Sequence, residues 1–281
     1  MSTVERARVQ AVERSIMNEF AAVFDASPRT NSYVYQLERA EFVGWVAKTL
    51  REAGRATRDL AVLDAGCSTG ATLALLEREG FGELTGIDLA EAMLTEAERR
   101  GPRRARWVRG ALEDAPFRPG SFDVIVSCFT IHHLHDPGDF FRLVDRCLRP
   151  DGWFFALEYD GGSSVSDVSR GGSRRHLGDL ARKTFARKNR RGLAARPIIE
   201  PRFNPAHRLL GYEELVGFLP EPERYEVSRV RRGPLRSTLL PVLVEESALD
   251  RVVARATGVV DGWVAHRLPG LFMWIAGRRS G

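Results

Sequence analysis

Apolar residues in the first fifty positions recur at helical spacing, and later ones fall in short runs bounded by glycines and acids. Val9, Val12, Ile16, Phe20 and Val23 share one face of a 3.6-residue repeat, which predicts an amphipathic helix ending near Asp25-Ala26-Ser27-Pro28. A second helix is expected from about Tyr35 to Arg51. Beyond it the pattern alternates: strands near 60–64, 83–88, 105–109, 122–127 and 152–159, with helices near 70–79, 90–100 and 138–148. Such alternation calls for an α/β fold with a doubly wound, mostly parallel sheet covered on both faces.

Residues 161–210 interrupt the alternation with Gly, Ser, Arg and Pro and read as an inserted lid, partly helical around 176–190. A short helix over Gly211–Leu219, strands over Arg224–Val230 and Leu271–Ala276, and a helical insertion from Leu243 to Arg267 complete the chain. The expected organisation is an N-terminal helical cap (1–55), a nucleotide-type core (56–160), the basic lid (161–210) and a C-terminal part of the core (211–281).

The densest chemistry lies in Val62-Leu63-Asp64-Ala65-Gly66-Cys67-Ser68-Thr69-Gly70-Ala71. A strand ends in a carboxylate, then breaks into a turn whose glycines let the backbone approach a ligand and whose following helix presents free N–H groups. Glu83-Leu84-Thr85-Gly86-Ile87-Asp88 places a second acid at a second strand end, suited to a ribose diol. Dinucleotide folds share that spacing, but here Ser68 stands at the middle glycine and Asp64 precedes the turn. Gly120-Ser121-Phe122-Asp123-Val124-Ile125-Val126-Ser127 and Leu148-Arg149-Pro150-Asp151-Gly152-Trp153-Phe154-Phe155 supply two more strands at regular distances.

Together these segments resemble the class I S-adenosylmethionine-dependent methyltransferases over roughly residues 30–160. The resemblance implies a Rossmann-like methyltransferase fold and S-adenosylmethionine as cofactor. It implies that Asp64, Gly66 and Gly70, with Cys67 and Ser68 between them, cradle the methionine end. Asp88 would bind the ribose hydroxyls, Leu89 and Met93 would flank the adenine, and Ala111, Leu112 and Glu113 would form the adenine-side loop, with Ser127 at the end of the fourth strand. Many members carry Asp where this chain has Ala111, which shifts adenine recognition toward Glu113, Asp114 or a backbone carbonyl. Tyr33 or Tyr35 and Arg39 would close over the methionine carboxylate or the substrate; a Tyr anchoring the cap to the core is the competing role.

Methyl transfer needs an aligned acceptor, exclusion of water and, for a protonated nucleophile, a base. Ligands in such sheets lie at the carboxyl ends of strands, which here present His132, His133, His135, Glu158 and Tyr159. Any one of the histidines suits a base, and each also suits a structural bond to backbone. A metal site is disfavoured, since adjacent His132, His133, His135 and Asp136 do not converge readily on one ion. Phe203, His207 and Tyr212 are looser candidates for a substrate wall, and Trp153, Trp263 and Trp274 are assigned to the core.

With 281 residues and 43% hydrophobic composition the chain can bury a sizeable core. No apolar run approaches the ~18 residues of a membrane span, and the first residues lack an apolar signal region, so the cytoplasm is the expected compartment. Cys67, Cys128 and Cys147 form no C-x-x-C pair, and the last two are expected to pack as small apolar groups. The net charge of +5 is uneven: residues 161–202 carry +8 and the remainder −3. That segment either attracts an anionic acceptor, carrier-bound chain or RNA, or is a solvated charged face. The reading is a methyltransferase of a small molecule in specialised metabolism, with O-, N- or C-methylation and an anionic or neutral acceptor open. RNA is the rival acceptor, though the Pro-Pro-aromatic sequence of base-amino methyltransferases is missing after the fourth strand. A non-methylating cofactor binder on the same fold is the rival of a different class.

Overall fold

The computed structural model describes residues 3–24, 33–161, 209–232 and 272–281. Most of the basic segment, the helical insertion over 243–267, and Phe203, His207 and Trp263 therefore lie outside the described residues. Helices α1 (Thr3–Phe24) and α2 (Tyr33–Glu52) precede β1 (Ala61–Ala65), α3 (Ala71–Arg78), β2 (Glu83–Asp88), α4 (Glu91–Arg100) and β3 (Arg106–Arg109). Then come β4 (Phe122–Cys128), α5 (Gly138–Cys147), β5 (Leu148–Tyr159), α6 (Tyr212–Val216), β6 (Tyr225–Arg231) and β7 (Phe272–Arg279).

The strands form one seven-stranded sheet in the order β3-β2-β1-β4-β5-β7-β6. β1, β2, β3, β4 and β5 pair in parallel, while β7 runs antiparallel to both β5 and β6. β1 and β4 bury every residue, as central strands must when helices cover both faces. Period-two alternation sorts their side chains. Leu63, Ile125, Phe154, Ala156 and Ile275 join α5 residues Phe140, Phe141 and Val144 on one face. Val62, Val124, Val126, Phe155, Leu157 and Trp274 join Phe42, Val46 and Leu50 of α2 and Leu73 of α3 on the other. The same alternation sends Asp64 and Tyr159 toward α2 and Glu158 toward the α5 face.

β5 starts at Leu148 rather than near 152. Leu148 pairs with Phe122 and Trp153 with Val124, so the register shifts across Arg149-Pro150-Asp151-Gly152, where Asp151 adopts φ 58°. A Pro-Asp-Gly stretch reads as a turn locally; here it bulges within the strand. Trp274 is buried and Trp153 stacks on Phe155 at 5.8 Å. All three cysteines are buried and unpaired. No helix among the described residues is long and apolar enough to cross a membrane.

Candidate functional site

The carboxyl ends of β1, β2, β4 and β5 meet at one edge of the sheet. The Gly66–Gly70 turn is pinned to β2 there: the N–H groups of Gly66 and Cys67 both donate to the Ile87 carbonyl, at 2.9 and 3.0 Å. Gly66 and Gly70 each sit at φ 82°, a region costly for other residues, and α3 begins immediately after. A Cβ on Gly66 would lie 2.2 Å from the Thr130 methyl, so the turn and the loop after β4 can touch only through glycine. Thr130 Oγ1 then donates to the Gly66 carbonyl at 3.2 Å.

Ser68 adopts φ 48°, its N–H donates to Asp88 Oδ2 at 2.8 Å, and its hydroxyl lies 3.4 Å from Met93 Sδ. The backbone of residue 68 thus ties the turn to the end of β2, and the serine hydroxyl adds a contact to α4. Asp88 Oδ1 accepts the Ala90 N–H at 2.8 Å. Burial raises the Asp88 carboxyl above its ordinary value, against these two backbone bonds and nearby His133.

Two buried groups of opposite charge have no hydrogen-bond partner: both oxygens of Asp64 and Nε of Arg39. Arg39 comes from α2, the helix toward which Asp64 projects, and its charge acts on Asp64. Burial still dominates, pushing the Asp64 carboxyl up to about 7. A buried unpaired carboxylate is costly, so a site that keeps one beside an unpaired guanidinium is built for a ligand carrying a cation and an anion. The α-amino acid end of S-adenosylmethionine is such a zwitterion; Asp64 would hold its ammonium and Arg39 its carboxylate. The residues present therefore fit the cofactor that the sequence implies. Bound there, it supplies a methyl group already activated on a sulfonium.

At the ends of β4 and β5, Glu158 is 2% exposed and organises the loop. Its Oε1 accepts the N–H groups of Thr130 and Ile131 at 2.8 and 2.7 Å, and its Oε2 lies 2.7 Å from His132 Nδ1. The sequence offers His132 and Glu158 as separate candidates; the structure joins them. With Nδ1–H donating to the carboxylate, the His132 lone pair is on Nε2. Tyr159 stands edge-on to the His132 ring at 4.9 Å, and its hydroxyl is 2.9 Å from that of Tyr35. Burial raises the Tyr159 phenol well above its ordinary value, with Tyr35 adding to the shift, so it serves as a neutral group. Tyr35, Phe129, Tyr159 and Phe272 form an aromatic cluster with ring centroids 5.3–6.5 Å apart. Tyr35 thus takes the anchoring role. Phe129 holds φ 56°, strain that the cluster sustains at the strand end where ligands bind.

Other expected site residues are placed differently. His133 pairs with Glu13 of α1 at 2.9 Å, and burial lowers its pKa, while His135 is exposed beyond the turn. The Ser127 hydroxyl is fully buried and donates to the Ala65 carbonyl at 3.1 Å, so it stitches β4 to β1 instead of facing a ligand. Cys67 turns its thiol beneath β2, 2.7 Å from where a Cβ on Gly86 would be, leaving only its backbone in the turn. Leu112 is buried in the α5-side core, while Leu89 and Ala111 remain half-buried at the edge. Met93 packs with Ala21 and Ala90, and Glu113 accepts a bond from Gln10 of α1. Tyr212 lies under the Arg229 guanidinium at 4.4 Å, a packing role. The side chain of Tyr33 is outside the described residues. Sequence reasoning missed Thr130, Gln10 and Glu13; the Gly66–Thr130 approach had no local signal.

The Methyltransferase domain family matches residues 63–156. The ubiquinone/menaquinone biosynthesis C-methyltransferase UbiE of Roseobacter denitrificans is 29% identical over 157 residues, covering 54% of this chain and 59% of that protein. A malonyl-[acyl-carrier protein] O-methyltransferase of Halorhodospira halophila is 35% identical over 134 residues, 46% of this chain and 44% of that protein. The chain thus spans about half the length of these curated relatives. Among solved structures, a SAM-dependent methyltransferase of Thermotoga maritima aligns with TM-score 0.55 at 15% identity, covering 95% of this chain and 99% of that one. The plantazolicin methyltransferase BpumL, solved with SAH, aligns with TM-score 0.56 at 12% identity, covering 98% and 100%; both likenesses are of fold. Residues 63–156 thus match the Methyltransferase domain family, and the sheet has the Rossmann-like fold of the methyltransferases it aligns with.

Proposed function

We propose that this protein transfers a methyl group from S-adenosylmethionine to a small molecule whose accepting atom carries a proton. The observation that carries the cofactor half is the opposed, unpartnered pair Arg39 and Asp64 beside the turn, with Asp88 at the next strand end. The Glu158–His132 pair carries the acceptor half. Glu158 holds the ring and its tautomer, so that His132 Nε2 can take a proton from an acceptor as its bond to the methyl forms. Glu158 is then a positioning residue and His132 the base. The aromatic cluster excludes water from this edge and offers a flat apolar wall. A hydroxyl, an ammonium or an acidic carbon would each satisfy this chemistry, and relatives named for C- and O-methylation accord with that breadth.

The basic segment over 161–202 favours an anionic acceptor within the small-molecule reading, and the four-part organisation of cap, core, lid and C-terminal region is part of the proposal. The deciding experiment incubates the full chain with S-adenosylmethionine and panels of small hydroxyl, amine and carbon acids, following S-adenosylhomocysteine release. Release that depends on an acceptor supports the reading. Cofactor binding with no release from any acceptor class would favour the non-methylating alternative.

A further inference from the structure

Gly86 stands in the interior of β2, where a glycine weakens a strand unless something needs the space of its side chain. It pairs with Asp64 of β1 on one side and Trp107 of β3 on the other, so the three positions form one row on the face toward α2 and α3. The indole fills the space. A Cβ on Gly86 would lie 2.9 Å from Trp107 Cε3, one on Gly70 2.7 Å from Cη2, and one on Gly101, just after α4, 2.7 Å from Cζ2. Side-chain carbons do not pack that closely, so the turn, β2 and the end of α4 each meet one benzo ring through a glycine. The turn itself is held in two halves. The N–H groups of Gly66, Cys67 and Ser68 donate to the Ile87 carbonyl and the Asp88 carboxylate of β2. Gly70 donates back to the Cys67 carbonyl at 2.9 Å, inside the turn, and α3 starts there with no side-chain cap bond. From outside the turn, the Trp107 ring supports that second half.

We infer that Trp107 is a positioning residue of the cofactor site: its benzo ring is the seat on which Gly70 and the start of α3 rest, and it sets where the free N–H groups of that helix meet S-adenosylmethionine. The inference rests on the cofactor reading above and adds a residue two strands away from β1 that acts through the turn. Trp107 is half-buried, and with Leu94, Thr95, Glu98 and Arg109 it lines an open groove of about 310 Å³. A smaller side chain there leaves no sealed cavity in the core, so loss of the seat separates from loss of the fold.

The test measures S-adenosylhomocysteine affinity by calorimetry on the full chain, native and with Trp107→Leu, Trp107→Phe and, as a matched loss of a half-buried indole elsewhere in the sheet, Trp153→Leu. Trp107→Leu should weaken binding about tenfold, as backbone donors at the start of α3 lose their aim. Trp107→Phe keeps a ring of shorter reach and should fall between. Trp153→Leu should stay within about twofold of native affinity although its urea midpoint also drops. Hydrogen exchange supplies a readout that needs no ligand: amides of 70–74 should exchange faster in Trp107→Phe than in the native chain. Native affinity in Trp107→Leu, or equal losses in Trp107→Leu and Trp153→Leu, overturns the inference while leaving the cofactor site standing. Should Trp107→Leu fail to fold, native affinity and unchanged exchange over 70–74 in Trp107→Phe overturn it in the same way. Failure of the native chain to bind S-adenosylhomocysteine at all would instead remove the cofactor reading, and the role of Trp107 with it.

Discussion

At the residue scale, the site is decided by where burial leaves charges unpaired. Asp64 holds its proton up to about pH 7 because burial outweighs the pull of Arg39, and an unfolded Asp releases its proton near 3.8. The folded chain therefore binds the extra proton between those values, and this group's contribution to stability falls as pH rises from about 4 to 7. A ligand ammonium at Asp64 reverses the preference by favouring the carboxylate. Binding of S-adenosylhomocysteine should accordingly release a proton near pH 6.5 and weaken by up to about tenfold per unit below pH 7. Calorimetry in buffers of different ionisation enthalpy reads that proton; buffer-independent heats would contradict the assignment. Asp88→Ala should weaken the same ligand at least about tenfold, by loss of charge-assisted bonds to the ribose; calorimetric titration with unchanged affinity would exclude that placement. For the base, Glu158→Gln should cut turnover about 10²–10⁴-fold. KM and S-adenosylhomocysteine affinity should hold while kcat falls. A change confined to KM would point to a purely structural loop.

At the element scale, what the sequence makes legible is what strand and turn chemistry dictate locally. Asp64, Gly66 and Gly70 mark the turn because a strand end, a left-handed backbone and a helix start must follow one another there, and the structure has each in place. Alternation of apolar runs likewise sets the strands and helices, with ends moved by a few residues. What stayed hidden depends on contacts distant in sequence. Glu13 and His133 are separated by 120 residues, Glu158 and His132 by 26, and neither partner carries a local mark of the other. The early start of β5 was hidden for the opposite reason: Arg149-Pro150-Asp151-Gly152 has strong turn chemistry that pairing with β4 overrides. Gly66→Ala tests the turn as an element. The added methyl would collide with Thr130 and sit at φ 82°, so the variant should lose most S-adenosylhomocysteine binding while its sheet persists by circular dichroism. Native-like affinity would show that the turn tolerates displacement from the β4 loop.

At the scale of the whole molecule, α2 connects the last strand of the sheet to the cofactor site. Glu38, 1% exposed, accepts bonds from Arg232 Nε at 2.7 Å and Trp274 Nε1 at 2.8 Å, and the Arg232 guanidinium lies 4.1 Å above the Trp274 ring. One carboxylate thereby joins residues 194 and 236 positions away, just after β6 and within β7, to the helix whose next residue is Arg39. Removing it leaves the half-buried Arg232 with Glu41 as its remaining carboxylate and the buried indole N–H of Trp274 unsatisfied, a fault that typically costs about 1–3 kcal/mol. Glu38→Ala should therefore lower the urea midpoint measurably. Because Arg39 rides on the same turn of α2, the variant should also bind S-adenosylhomocysteine more weakly under conditions where it remains folded. Glu38→Gln keeps the indole acceptor but not the charge, so it should fall between the two. A folded Glu38→Ala protein with native stability would mean that the packing of Phe42, Val46 and Leu50 alone fixes α2, and that the charge network adds nothing to the placement of Arg39.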